Sequence, residues 1–302
     1  MRRSRAPRRW PTPDGIIVGY DADCTCDTNY LSEIEAFFTK EPKAVGCSLF
    51  FEHPIEGNEF PPEVYKAIIQ YELYLRYYIE GLRMAHFPYA YHTLGSSFAV
   101  RANAYALQGG MNKRKAGEDF YFLHKIIPLA NYFEINSTKV IPSPRTSDRV
   151  PFGTGAAITK IIESNQSQYL TYNPDVFKEL RIFFDSIPQL FRIDDLALDS
   201  WMHAIHPSLQ RFLLQNNFKN ILTEINVNCS KSEPFKKRFF VWFNGLLVLQ
   251  YLNEAHVNDF DKIPVEQASQ QLLNNCKAAN AFHLLQMFRE HQRKFWTDRS
   301  FC

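Results

Sequence analysis

Between residue 14 and about residue 145, short apolar runs alternate with segments of helical period; beyond about residue 160 the alternation stops and helical segments alone remain. This change of texture constrains the fold more than any other feature. Strands separated by helices place those helices on the faces of a mostly parallel sheet, a three-layer α/β arrangement. "GIIVGY", "KAVGCSLFF", "SSFAVR" and "NYFEINSTKVIPSP" read as strands. The first has the β-branched character of a buried parallel strand, and the last stops at its prolines. Between them lie helices. "TNYLSEIEAFFTK" spaces Leu31, Ile34 and Phe38 along one face, with Asp27 or Thr28 as the cap. "PPEVYKAIIQYELYLRYYIEGLRM" opens on prolines and runs its apolar residues three and four apart. "ANAYALQGG" closes on a glycine pair, and "GEDFYFLHKII" begins on two acids. The division expected is a basic arm over 1–13, an α/β core over 14–155 and a helical region over 156–302.

A chain of 302 residues with 45% hydrophobic content buries a substantial core, as one large domain or two modest ones. Its net charge of +2 creates no general field toward nucleic acid. The arm "MRRSRAPRRWPTPD" is locally basic and suited to an anionic surface. It has no apolar core of the kind a signal peptide carries. Phe239 to Leu252 is too short to span a bilayer, which takes about 20 apolar residues, and reads as one core helix. The six cysteines lack paired CxxC spacing and read as reduced thiols of a cytoplasmic protein. Cys24 and Cys26 stand beside two carboxylates without the second cysteine pair that zinc favours.

Those carboxylates, Asp21 and Asp23 in "GYDADCTCD", carry the chemistry. At the C-terminal end of a strand, residues two apart share a face, roughly 7 Å apart. Ligands of open α/β sheets bind at that end. Close carboxylates repel unless a cation lies against them, and a divalent metal bound to phosphate meets the need. A solvated acid pair capping the next helix is the plain alternative.

"YDADCT" resembles the first motif of haloacid-dehalogenase-like phosphatases, which would make Asp21 a nucleophile. Such an enzyme also needs a later strand ending in an acidic pair, and "IDDLALD" (Asp194, Asp195) has no good strand before it. The order strand, "DAD", helix, strand, long helix, then "GSSFAVRANAYALQGGMNKRKAGEDFYFLHKI" more closely resembles family 2 glycosyltransferases of the GT-A fold. The resemblance spans roughly residues 14 to 150. It implies an inverting, non-processive, hexosyltransferase-like enzyme of surface polysaccharide biosynthesis. Such an enzyme would move sugar from a UDP- or GDP-linked donor to a glycan or lipid-linked acceptor, with no nucleic acid partner. It would be cytoplasmic, with peripheral contact to the membrane face.

By this resemblance Asp21 and Asp23 hold Mn²⁺ or Mg²⁺ on the donor, Asp119 is the general base, and Glu118 positions either it or the acceptor. Gly95, Ser96, Ser97 and His92 line the acceptor side, and Arg145 or Arg149 steadies the departing diphosphate. Asp148 or His92 is a further metal contact. The helix dipole is expected to keep Asp119 charged. Three features depart from the family. The part of the nucleotide-binding half ahead of DxD has no counterpart, giving an incomplete GT-A fold. The QxxRW motif of processive synthases is missing, and the helical region from about residue 160 is additional. The rival from another class is a non-catalytic fragment acting as a binding module; an exposed edge beside "GIIVGY" would favour it.

Overall fold

The computed structural model describes residues 12, 14–112, 117–148, 153–164, 168–273 and 280–295. The basic arm lies almost wholly outside them, as does Arg149. The chain is mixed α/β, and its described residues divide into two compact units, one formed from those within 12–52 and 93–143, the other from those within 53–92 and 144–295. The long segment 53–92 therefore belongs with the helices, although its place in the sequence is between strands.

The first unit contains β1 (Ile16–Gly19), β2 (Thr25–Cys26), α1 (Tyr30–Lys40), β3 (Gly46–Phe51), and, after the excursion of α2 (Pro62–Met84) into the second unit, β4 (Phe98–Arg101), α3 (Ala102–Leu107), α4 (Glu118–Ile126) and β5 (Tyr132–Ile141). The five strands form one mixed sheet in the order β1-β4-β3-β5-β2. Only β3 and β5 are parallel; β1–β4, β4–β3 and β5–β2 are antiparallel. The reading of "GIIVGY" as a buried parallel strand is thus corrected: β1 is a half-buried edge strand, paired on one side by β4. Its apolar run does not distinguish the two cases because the outer face lacks charged residues. β3, read from the sequence as a strand, has every residue inside.

β1 and β2 stand at opposite edges of the sheet, yet only Tyr20 to Cys24 separates them. Four strand spacings of ~4.8 Å amount to about 19 Å, the limit of fully extended chain over that connection. Part of the connection is a turn, with Cys24 N donating to Asp21 O at 3.1 Å. The sheet therefore curls until its edges approach, and Tyr20–Cys24 bridges them.

α1 lies on β5, where Phe37 meets Phe133 edge to ring at 5.5 Å, and buries Tyr30, Ile34 and Phe38. Its N-cap is Asn29 instead of Asp27 or Thr28. A register shift in β5 projects Asn136–Thr138 toward this end; Asn29 Nδ2 donates to Ser137 O, and Thr138 Oγ1 donates to Asn29 Oδ1. Tertiary bonds decide the boundary here, because Asn29 makes no local cap bond.

The second unit surrounds α2 with α5 (Thr154–Glu163), α6 (Pro174–Ser186), α12 (Val265–Leu272) and α13 (Ala281–Phe295). The remaining helices are α7 (Asp195–Ala204), α8 (Pro207–Gln215), α9 (Phe218–Val227), α10 (Ser232–Trp242) and α11 (Gly245–Asn258), and a small antiparallel pair joins β6 (Leu170–Thr171) to β7 (Ile263–Pro264). The apolar stretch from Phe239 to Leu252, expected as one helix, is two. Asn244 accepts from the N–H groups of Leu246 and Leu247 and caps a fresh start. Its side chain outweighs the continuous hydrophobicity around it. The core is markedly aromatic: Phe183 packs against Phe239 and Phe243, and Phe184 against Phe240.

α2 passes α6 so closely that a Cβ on Gly81 would lie 2.6–2.7 Å from three carbons of the Phe177 ring. Gly81→Ala gains about 1 kcal/mol of helix propensity. It also drives a methyl into a ring with no exposed surface, an overpacking cost of about 1–3 kcal/mol. The second effect wins because Phe177 has nowhere to move, and a lower urea midpoint for Gly81→Ala is the expected result. An unchanged or higher midpoint would contradict this packing.

Candidate functional site

The bridge from β1 to β2 places its carboxylates in a turn, not along an extended strand end. Asp21 and Asp23 are exposed and Cys24 is buried beneath them. One ligand atom from each of the three lies within 4.8 Å of the others, closer than the roughly 7 Å that strand alternation predicts. Tyr20 OH donates to Cys24 O at 2.9 Å and fastens the turn from the side. Burial raises the Cys24 thiol pKa; a bond from Ser96 counters this, while Asp21 and Asp23 add to the rise. The donor set of two carboxylates and a thiol is close enough to share one cation. Its oxygens suit Mg²⁺ and Mn²⁺ alike, and the sulfur is better suited to Mn²⁺. Cys24 becomes a third donor through the turn, which residue types alone do not reveal.

Asp119 comes to the same region. It stands in the first turn of α4, which begins after Gly117 in left-handed conformation (φ 71°). Asp119 Oδ1 accepts from Phe120 N at 2.7 Å. Its carboxyl pKa is raised, first by burial, then by Glu118 and Asp21, against the lowering effect of the Phe120 bond. Desolvation and the two neighbouring acids thus oppose the helix dipole expected to favour the charged form, a contribution of about 0.3–1 kcal/mol, and the net direction is upward. The coupling to Asp21 places the third carboxylate within the field of the first.

The segment 93–97 packs beneath these groups. A Cβ on Gly95 would fall 2.6 Å from Asp119 Oδ2. Ser96 is buried against Cys24, and Ser97 Oγ donates to Leu49 O at 2.5 Å. Both serines are turned inward, where they tie the segment to its neighbours. The first unit thus brings together Asp21, Asp23, Cys24, Gly95, Ser96, Glu118 and Asp119.

His92 and Arg145 belong to the second unit. His92 is buried, its Nε2 3.3 Å from Gln292 Oε1, and burial together with Arg76 and Arg83 holds its pKa well below the ordinary imidazole value. Arg145 and Asp148 are exposed in the segment leading to α5. The acidic pair Asp194–Asp195 is a helix start, since Asp194 accepts from Ala197 N and caps α7. Gly109 and Gly110, both at positive φ, stop α3.

No family model, curated protein or solved structure matches the chain.

Proposed function

We propose that the first unit carries a metal-dependent glycosyl-transfer site that uses a nucleoside-diphosphate sugar. The observation that carries this reading is the meeting of two exposed carboxylates and a thiol with a third, desolvated carboxylate across a curled sheet. In this reading Asp21 and Asp23, with Cys24, hold Mn²⁺ or Mg²⁺. When bound, the ion neutralises charge on the diphosphate. Asp119 takes the proton of an acceptor hydroxyl as that oxygen forms its bond to the anomeric carbon and the carbon–oxygen bond to the diphosphate breaks. Asp119 suits a proton acceptor because its raised pKa makes it a stronger base than a solvated aspartate, while still leaving it ionised when the medium is basic enough. Glu118, the adjacent acid, adds to that basicity by repulsion. A glycan or lipid-linked hydroxyl is the acceptor class, by resemblance to family 2 enzymes. Peripheral membrane contact fits such an acceptor; among the described residues no helix is long and apolar enough to cross a membrane.

Calorimetric titration with UDP and GDP, each with and without Mn²⁺, tests the donor site. Binding that requires Mn²⁺ and weakens at least about tenfold in Asp23→Asn is expected, since removing one charged ligand costs roughly 1.4 kcal/mol or more. A folded sample that binds neither nucleotide with metal overturns the reading.

One observation favours a second reading. The outer edge of β1 carries no strand among the described residues, and its residues Ile16, Ile17 and Val18 include no charge to protect it. A donor site completed by residues from another chain, or a fragment that binds without turning over, accords with that edge. The same titration separates the readings: the binding fragment binds a glycan or protein partner and not the nucleotide.

A further inference from the structure

We infer that Gly95 is a positioning residue for Asp119: the space left by its missing side chain is the seat of the Asp119 carboxylate. Gly95 is not among the glycines at positive φ, so its backbone is open to any residue. What excludes a side chain is space, and Asp119 occupies it. The three atoms nearest to a Cβ at Gly95 are Asp119 Oδ2 at 2.6 Å, Cγ at 3.2 Å and Cβ at 3.4 Å. Rotation of one oxygen leaves Cγ still crowded at 3.2 Å, so the carboxylate has to turn and also shift by a few tenths of an ångström.

A second glycine supports the arrangement from below. A Cβ on Gly19, the last residue of β1, would collide with Gly95 O and the Phe98 ring. Gly19 therefore lies against Gly95 O and the Phe98 ring, and Gly95 lies against the Asp119 side chain. The strand end that launches the Asp21–Asp23 turn lies against the backbone of segment 93–97, and the first turn of α4 reaches the same segment through the Asp119 side chain. This packing seats the Asp119 carboxyl against Gly95, where burial desolvates it.

The inference deepens the reading of Asp119 as a proton acceptor, but its test needs no turnover and no nucleotide. The titration of Asp119 is followed by carboxyl-carbon NMR in the wild type and in Gly95→Ala, with Asp119→Asn identifying the resonance. The midpoint is expected above the ordinary aspartate value of about 3.9 in the wild type and to fall toward it in Gly95→Ala, as the displaced carboxylate reaches water. A wild-type midpoint at the ordinary value, or one unchanged in folded Gly95→Ala, overturns the proposal. Melting temperatures form a cycle with Asp119→Ala. The loss caused by Gly95→Ala should shrink by at least half once residue 119 is alanine, because the clashing atoms have gone. An equal loss in both backgrounds refutes the inference. Should Gly95→Ala fail to fold, the Gly95→Ala/Asp119→Ala protein is expected to fold, and its failure would also refute it.

Discussion

Glu72→Ala unfolds the helical unit at markedly lower denaturant, with an expected loss of about 3–5 kcal/mol. Glu72 is fully buried on α2. Its Oε1 accepts from Arg76 Nε and Arg289 Nε, both at 2.8 Å; its Oε2 accepts from His53 N at 2.9 Å and from Arg289 Nη2 at 2.6 Å, and lies 3.0 Å from His53 Nδ1. Arg76 has no exposed surface, and its Nη1 donates to Gln292 Oε1 at 2.6 Å. Burial pushes the Glu72 carboxyl up, but Arg76, the His53 bond and Arg289 outweigh it and hold the pKa well below the usual carboxylate range. Truncating Glu72 removes a buried carboxylate that both guanidiniums share, and each loses that charged partner where water is largely excluded. A variant that loses less than about 1 kcal/mol would show that the pair is not a stability element. Replacing Glu72, Arg76 and Arg289 together by apolar residues is expected to cost far less than Glu72→Ala alone, since the charges no longer need each other.

The same cluster sets an acid limit. Glu72 has a depressed folded pKa, so its contribution is present above its unfolded value of about 4.3 and fades as pH falls through the lower folded value. His92 is also depressed, by burial and by Arg76 and Arg83, so folding favours its neutral form. Its contribution is complete above an unfolded pKa of about 6.5 and declines below it. Acid therefore weakens this unit first in the histidine range, where burial disfavours the charged forms of His92 and His256, and again in the carboxylate range.

The segments legible in the sequence were those with a strong internal period. α2 runs from Pro62 to Met84, and "KAVGCSLFF" holds the strand β3 from Gly46 to Phe51. Periodicity says nothing about which unit a helix joins, and α2 joins the helical unit through residues such as Glu72 and Gly81, whose partners lie about a hundred to more than two hundred positions away. Nor does it distinguish an edge strand from a central one when both are β-branched. The candidate site was legible as residue types: Asp21, Asp23 and Asp119 were singled out and fall in one unit. What the sequence lacked was the curl. Only the strand order reveals that Tyr20–Cys24 bridges the two sheet edges, that the carboxylates sit in a turn, and that Cys24 joins them. The sign of the Asp119 shift was also hidden, because a helix start is visible in sequence and desolvation by Gly95 is not.

Asp119→Asn is expected to lose turnover by about 10²–10⁴-fold, the usual worth of a positioned general base, while Mn²⁺-dependent nucleotide binding stays within a few-fold of wild type. It is also expected to be more stable than wild type at neutral pH. A carboxyl whose folded pKa is raised binds its proton more tightly in the native state than in the unfolded one. Stability from this group is thus complete below the unfolded value of about 3.9 and is lost as pH rises through the folded pKa, so at neutral pH the charged, crowded carboxylate is a liability that asparagine removes. Donor consumption by the wild type should rise with pH as Asp119 ionises, with a midpoint above that of a free aspartate, and this limb should vanish in the variant. Release of nucleoside diphosphate, measured alongside thermal melting, gives both readouts from one preparation. A variant that keeps turnover within tenfold of wild type excludes Asp119 as the base. One that loses both turnover and stability assigns the residue to the fold, since a group strained for chemistry should leave the protein firmer when its charge is taken away.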